Sequence, residues 1–136
     1  MRVFTFEEGK FNFDLVNLTD HSIFISTIRH DNIAYEIEPS GIVARVKKLE
    51  IEPSFQIKSL NGLGHNFRVS SIQHGRVINL PPSKEHTFYI VSSLCAQAIA
   101  RQFPTRGDIL SPDARHLRKR PENELPVVFR LLQHKP

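Results

Sequence analysis

Residues 87–103 constrain the fold more than any other stretch. Thr87-Phe88-Tyr89-Ile90-Val91 is an aromatic and β-branched run without a charge, the composition of a strand at the centre of a sheet. Two serines later the residue types change. From Leu94 to Phe103 they are helix formers, with Cys95, Ile99 and Phe103 at four-residue intervals that place them on one inward face. Pro104 stops the helix, and Ser92 or Ser93 caps its start. The chain therefore passes from a central strand straight into a helix of about 94–103.

Around this unit the sequence reads as short strands. Phe11 to Leu18 alternates apolar and polar residues, and Ser22–Ile28 with Ile33–Ile37 predicts a hairpin turning at Asp31-Asn32. Glu38-Pro39-Ser40-Gly41 is a turn, since proline presets one position and glycine accepts positive φ. A strand from Ile42 through Val46 is expected to continue over Leu49–Glu52 and end at Pro53. Residues 53–66 read as a loop around a weak strand at 55–57, and 67–72 with 76–80 as a hairpin around His74-Gly75. Prolines then dominate, making 104–126 a basic, proline-punctuated loop, with a final strand from Val127 to Leu132 and a frayed tail at 133–136. The fold class this predicts is α+β: a mostly antiparallel partial barrel or sandwich with one short helix packed on it.

Length and composition bound the function. At 136 residues, 40% hydrophobic and 24% charged, the chain matches a single domain over 1–136 with one core. No apolar run reaches the eighteen or so residues of a membrane span, and the start carries Glu7 and Glu8 where a signal peptide is apolar. Cys95 is the sole cysteine, so packing rather than a disulfide holds the fold, and a reducing, cytoplasmic setting fits. The seven histidines show no metal-ligand spacing, and no cofactor motif is present. Residues 1–100 carry ten Lys/Arg and ten Asp/Glu, whereas 101–136 carry eight and four, so the net charge of +4 lies in the last segment.

Three stretches stand out together: Asn17-Leu18-Thr19-Asp20-His21, Pro39-Ser40-Gly41-Ile42-Val43-Ala44-Arg45-Val46, and Phe88-Tyr89-Ile90-Val91-Ser92-Ser93-Leu94-Cys95-Ala96-Gln97-Ala98. Their order and spacing resemble a group of small uncharacterised bacterial and phage-encoded proteins, over roughly residues 15–112. The resemblance implies a phage-like or accessory role and assigns no activity, so it carries over no functional residue. After Pro112 the sequence departs from that group, with a basic tail in place of a turn and strand.

The chemistry open to the residues gathers at the strand-to-helix junction. The first turn of a helix presents free N–H groups and partial positive charge, and Ser92 and Ser93 are placed to help hold an anion there, although a serine at this position commonly serves as a cap alone. A serine nucleophile is disfavoured, because the flanks are Ile90, Val91, Leu94 and Cys95 rather than glycines. Cys95 reads as a buried, inert thiol. Arg45, sharing a strand face with Val43, either points outward into water or forks a carboxylate or phosphate. His21 is a candidate base oriented by Asp20 or Asp108, set against good turn chemistry in which Asp20 caps local backbone. Asp108 and Asp113 flank Ser111-Pro112, compatible with a cation site but more commonly turn formers.

Arg115, Arg118, Lys119 and Arg120 form a basic cluster able to meet nucleic-acid phosphates, without interleaved aromatics and with acids on both sides. The leading expectation is a binding module for a protein or an anionic small molecule, using Arg45, Ser92, Ser93, Asp108 and His21. The alternatives are a small hydrolase or nucleotide-processing enzyme built from those residues and, more weakly, nucleic-acid binding through 115–120.

Overall fold

The structure, a computed structural model, describes residues 1–26, 33–57, 67–113, 118–119, 126–128 and 130–135. Within them the strands are β1 (Phe4–Glu8), β2 (Phe11–Asn17), β3 (Ile23–Ser26), β4 (Ile33–Ile37), β5 (Arg45–Ile57), β6 (Phe67–Ile78), β7 (Thr87–Ile90), β8 (Ile109–Pro112), β9 (Arg118–Lys119), β10 (Pro126–Val128) and β11 (Leu131–His134). The helix α1 (Ser93–Gln102) lies between β7 and β8. The α+β class expected from the sequence, mostly strands with one helix, is correct; of the mostly antiparallel partial barrel or sandwich, the main sheet departs in being mixed, and it does not close into a barrel.

The main sheet is mixed and open, in the order β1-β2-β7-β8-β11. β7 sits at its centre, as its uncharged composition predicts, but pairs in parallel with both neighbours, β2 (Val16↔Tyr89) and β8 (Tyr89↔Ile109). Parallel neighbours require a crossover, and α1 supplies it between β7 and β8. A second sheet, β4-β3-β10-β9, pairs β3 with β4 antiparallel and with β10 in parallel. β5 and β6 form a separate two-stranded ribbon.

Period-two alternation divides the apolar residues between two cores. Val16, Tyr89, Val91 and Ile109 face α1 and the base of the ribbon, packing with Cys95, Ala96, Ala98, Ile99, Ala44 and Val77. Leu15, Ile90 and the partly buried Phe88 and Leu110 face the other way, onto Ile23, Ile37 and Val128 of the second sheet. Each fully buried aliphatic side chain in these layers contributes about 1.5–3 kcal/mol by leaving water. Cys95 and Ile99 are buried as the helical spacing predicts, but Phe103 is 40% exposed. The small side chains of Ala96 and Ala98 complete the buried stripe instead and let the helix lie close to the sheet.

Several local expectations are revised. The strand expected from Ile42 begins only at Arg45, and Ile42 is exposed. β5 also continues beyond Pro53, because a register shift between Ile51 and Phe55 accommodates the residue that cannot donate to the ladder. His74-Gly75 is a bulge, not a turn: Val46 pairs with Val77 and Lys48 with His74, so Gly75 and Arg76 together oppose Lys47. Gln102 at the end of α1 satisfies the backbone groups this releases, accepting from Val77 N at 3.0 Å and donating to Gly75 O at 3.0 Å.

Inside the stretch read as loop, Ile109–Pro112 is a strand, and the expected single strand over 127–132 is two, β10 and β11, in different sheets. The expected frayed tail is ordered through His134, which pairs with Ile109 and whose Nε2 lies 2.7 Å from Ser111 Oγ. The turn at Asp31-Asn32 lies outside the described residues.

Candidate functional site

In open sheets with parallel strands, ligands settle outside the carboxyl ends of those strands. The chain segments leaving β2, β7 and β8 converge at such an end and, with the segment 43–46 and Val128, enclose a cavity of about 480 Å³, within the size range of small-molecule sites. Its walls include Leu18–Ile23 after β2, Ser92–Cys95 after β7 and Pro112 at the end of β8.

The wall after β2 is built by Asn17, a residue the sequence reading did not single out as functional. Asn17 is 1% exposed. Its Nδ2 donates to the carbonyls of Ile37 and His21, each at 2.9 Å, and its Oδ1 accepts from the Thr19 amide at 2.9 Å. The Thr19 hydroxyl lies 2.6 Å from Asn17 Oδ1 and 2.9 Å from the His21 carbonyl, its single proton serving one at a time. The turn chemistry expected of Asp20 is thus performed by Asn17 and Thr19, while Asp20 is exposed at the cavity. An asparagine ending an alternating strand two residues before a threonine is the available sequence signal.

The facing wall is tied to the first by backbone. Ser40 N donates to Asn17 O and Ala44 N to Leu18 O, and Gly41, at φ 101°, makes the turn that brings the segment back. Asn79, itself left-handed at φ 63°, donates from Nδ2 to Val43 O at 3.1 Å. Arg45 follows, exposed at the cavity and with no ion-pair partner among the described residues.

At the junction, Ser92 is the N-cap, its hydroxyl accepting from Cys95 N at 3.2 Å, and its carbonyl accepting from Ala96 N. The first-turn amides of Ser93 and Leu94 are left without a partner among the described residues, and both residues are exposed. Burial pushes the Cys95 thiol above its ordinary pKa, the inert state expected of it.

The structure therefore brings His21, Arg45, Ser92 and Ser93 to one cavity. His21 Nδ1 lies 3.0 Å from the neighbouring Ser22 carbonyl. Asp108 is not brought there. Its carboxylate is held by Arg106 through two hydrogen bonds of 2.8 and 2.9 Å, and the same guanidinium donates to Pro81 O and lies 5.8 Å from the centre of the Tyr89 ring. Asp113 accepts from Arg130 Nε at 2.6 Å. The aspartates expected as turn formers or cation ligands are thus each engaged by an arginine. Among the described residues, no group of three His, Cys, Asp or Glu could hold a metal ion, and no helix is long and apolar enough to cross a membrane.

A serine–histidine hydrogen bond exists away from this cavity, between Ser111 and His134, but Ser111 is 2% exposed and lies within β8. Arg118 and Lys119 form β9; Arg115 and Arg120 lie outside the described residues. The apolar lining (Leu18, Ile23, Val43, Val46, Leu94, Val128) comes from four separate segments, and sequence pattern gave no signal that they meet. Comparison with protein-family models, curated proteins and solved structures finds no match to this chain, so what the site can do rests on its own geometry.

Proposed function

We propose that this protein is a small binding module, phage-like or accessory and working in a reducing cytoplasm, whose cavity at the β7–α1 junction holds an anionic small molecule. One observation supports it above others: the exposed guanidinium of Arg45 and the free first-turn amides of Ser93 and Leu94 border the same cavity. Donors that no acceptor among the described residues uses are what an anion site requires. Binding is favoured over hydrolysis because, among the described residues, no hydrogen bond joins His21 to Ser92, Ser93 or Asp20, its Nδ1 lying instead against the Ser22 carbonyl, and Asp108 is held by Arg106.

The test is a thermal-shift screen of the full chain against carboxylates, phosphates and phosphosugars, repeated on Arg45→Ala. A ligand at ten times its Kd stabilises by about 1.4 kcal/mol, a rise of roughly 3–6 °C for a domain of this size. The expected result is a rise with at least one anion that Arg45→Ala abolishes. No rise with any anion removes the reading.

A further inference from the structure

We infer that the ligand is an amphipathic carboxylate: a single negative head group carrying an apolar body several carbons long, such as a medium-chain fatty acid. The inference rests on the proposal that the cavity takes an anion, and it names the class. Two features of the lining select it.

The first is the balance of charge. Arg45 and Asp20 both border the cavity, so a dianion such as inorganic phosphate meets one opposing carboxylate with a single guanidinium to offset it. A monoanionic carboxylate matches the fork of one arginine and the two amides of Ser93 and Leu94, and adds one negative charge beside Asp20 where a dianion adds two.

The second is what lies beside the donors. Leu18, Ile23, Val43, Val46, Leu94 and Val128 line the same cavity, and a bare inorganic anion would leave that surface wet. Leu94 is 43% exposed despite its size, at the helix position immediately after Ser93, so one residue contributes both an amide to the head-group site and an apolar side chain to the body site. A ligand that uses both must join charge to hydrocarbon. Burial of each further methylene in such a site strengthens binding by about two- to fourfold, until the volume of about 480 Å³ is filled.

The experiment is calorimetric titration of the full chain with acetate, butanoate, hexanoate and octanoate, with neutral octanamide, and with inorganic phosphate, repeated on Arg45→Ala and Leu94→Ser. Both substituted side chains are exposed, and the octanoate–octanamide comparison uses the unaltered protein, so the result does not depend on a variant folding. The expected outcome is affinity that rises by about two- to fourfold per methylene, octanoate about tenfold or more tighter than octanamide, Arg45→Ala bringing octanoate down to the octanamide level, and Leu94→Ser flattening the chain-length dependence while leaving acetate unchanged. Acetate and phosphate binding as tightly as octanoate, with dependence on Arg45, overturns the amphipathic class and leaves the anion site standing. Octanamide equal to octanoate, with no effect of Arg45→Ala, overturns both, as does no binding at all. An apolar tripeptide with a free C-terminus that binds more tightly than every fatty acid overturns the class in favour of a protein tail.

Discussion

The two ends of β7 carry arginines of opposite kinds. At the start of the strand, Arg106 lies over Tyr89, donates twice to Asp108 and once to Pro81 O, and the Tyr89 hydroxyl donates to Pro82 O. The side chains of Arg106 and Asp108 are 14% and 11% exposed. At the other end, Arg45 and the first-turn amides of α1 border a cavity, and no hydrogen bond or ion pair among the described residues engages them. A guanidinium engaged by a carboxylate, a backbone carbonyl and an aromatic ring holds a fold together, whereas one left open beside an apolar cavity is available to a guest. The contrast separates polar groups engaged within the fold from polar groups open to a guest.

The largest effect should come from breaking the committed end. Asp108→Ala leaves Arg106 nearly buried and unpaired, and is expected to cost about 3 kcal/mol in chemical denaturation. Asn17→Ala follows at about 2–3 kcal/mol, because it orphans the Ile37 carbonyl and the Thr19 amide; since Asn17 shapes the cavity wall, anion binding should weaken with it. A loss from Asn17→Ala confined to stability, with affinity intact, would detach that wall from the site.

Tyr89→Phe is expected to cost about 1 kcal/mol through the lost bond to Pro82, and it carries a pH signature. Burial first, and the Asp108 charge second, raise the Tyr89 pKa above its ordinary 10.0, against the opposing Arg106 charge. The folded state therefore keeps the phenol proton after the unfolded chain has lost it. That contribution is full below pH 10, declines as pH rises toward the raised native value, and should be absent from the Phe variant in denaturation curves taken between pH 9 and 11. Smaller still, Ser92→Ala removes the cap at about 1 kcal/mol or less. Arg45→Ala should change stability by no more than about 0.5 kcal/mol; a loss comparable to Asp108→Ala would make Arg45 structural and erase the contrast between the two ends.

The residues that are local in their logic were legible in the sequence. The uncharged run at 87–91, the serine cap and Pro104 fixed the central strand and the helix, because composition and capping act over a few neighbours. The parallel pairing of β7 was not legible, since alternation reports burial and not strand direction. Gly75 was misread for a related reason: a glycine marks a bulge and a turn alike, and only the register against β5 distinguishes them. For the site, His21, Arg45, Ser92 and Ser93 were identifiable as donors or turn residues, each on its own chemistry. Asp108 was not separable from them, because its arginine partner two residues away looks in sequence like ordinary surface charge. Leu18, Val43 and Val128 meet only through the fold.

The amides of Ser93 and Leu94 offer the most direct test. In a two-dimensional NMR titration of the isotopically labelled protein with octanoate, these two backbone signals and the Arg45 Nε–H should shift together along one saturating curve, while the Arg106 Nε–H stays still. Saturable shifts that leave residues 93 and 94 unmoved, or that fall on Arg106 and its surroundings, would contradict an anion site at the start of the helix.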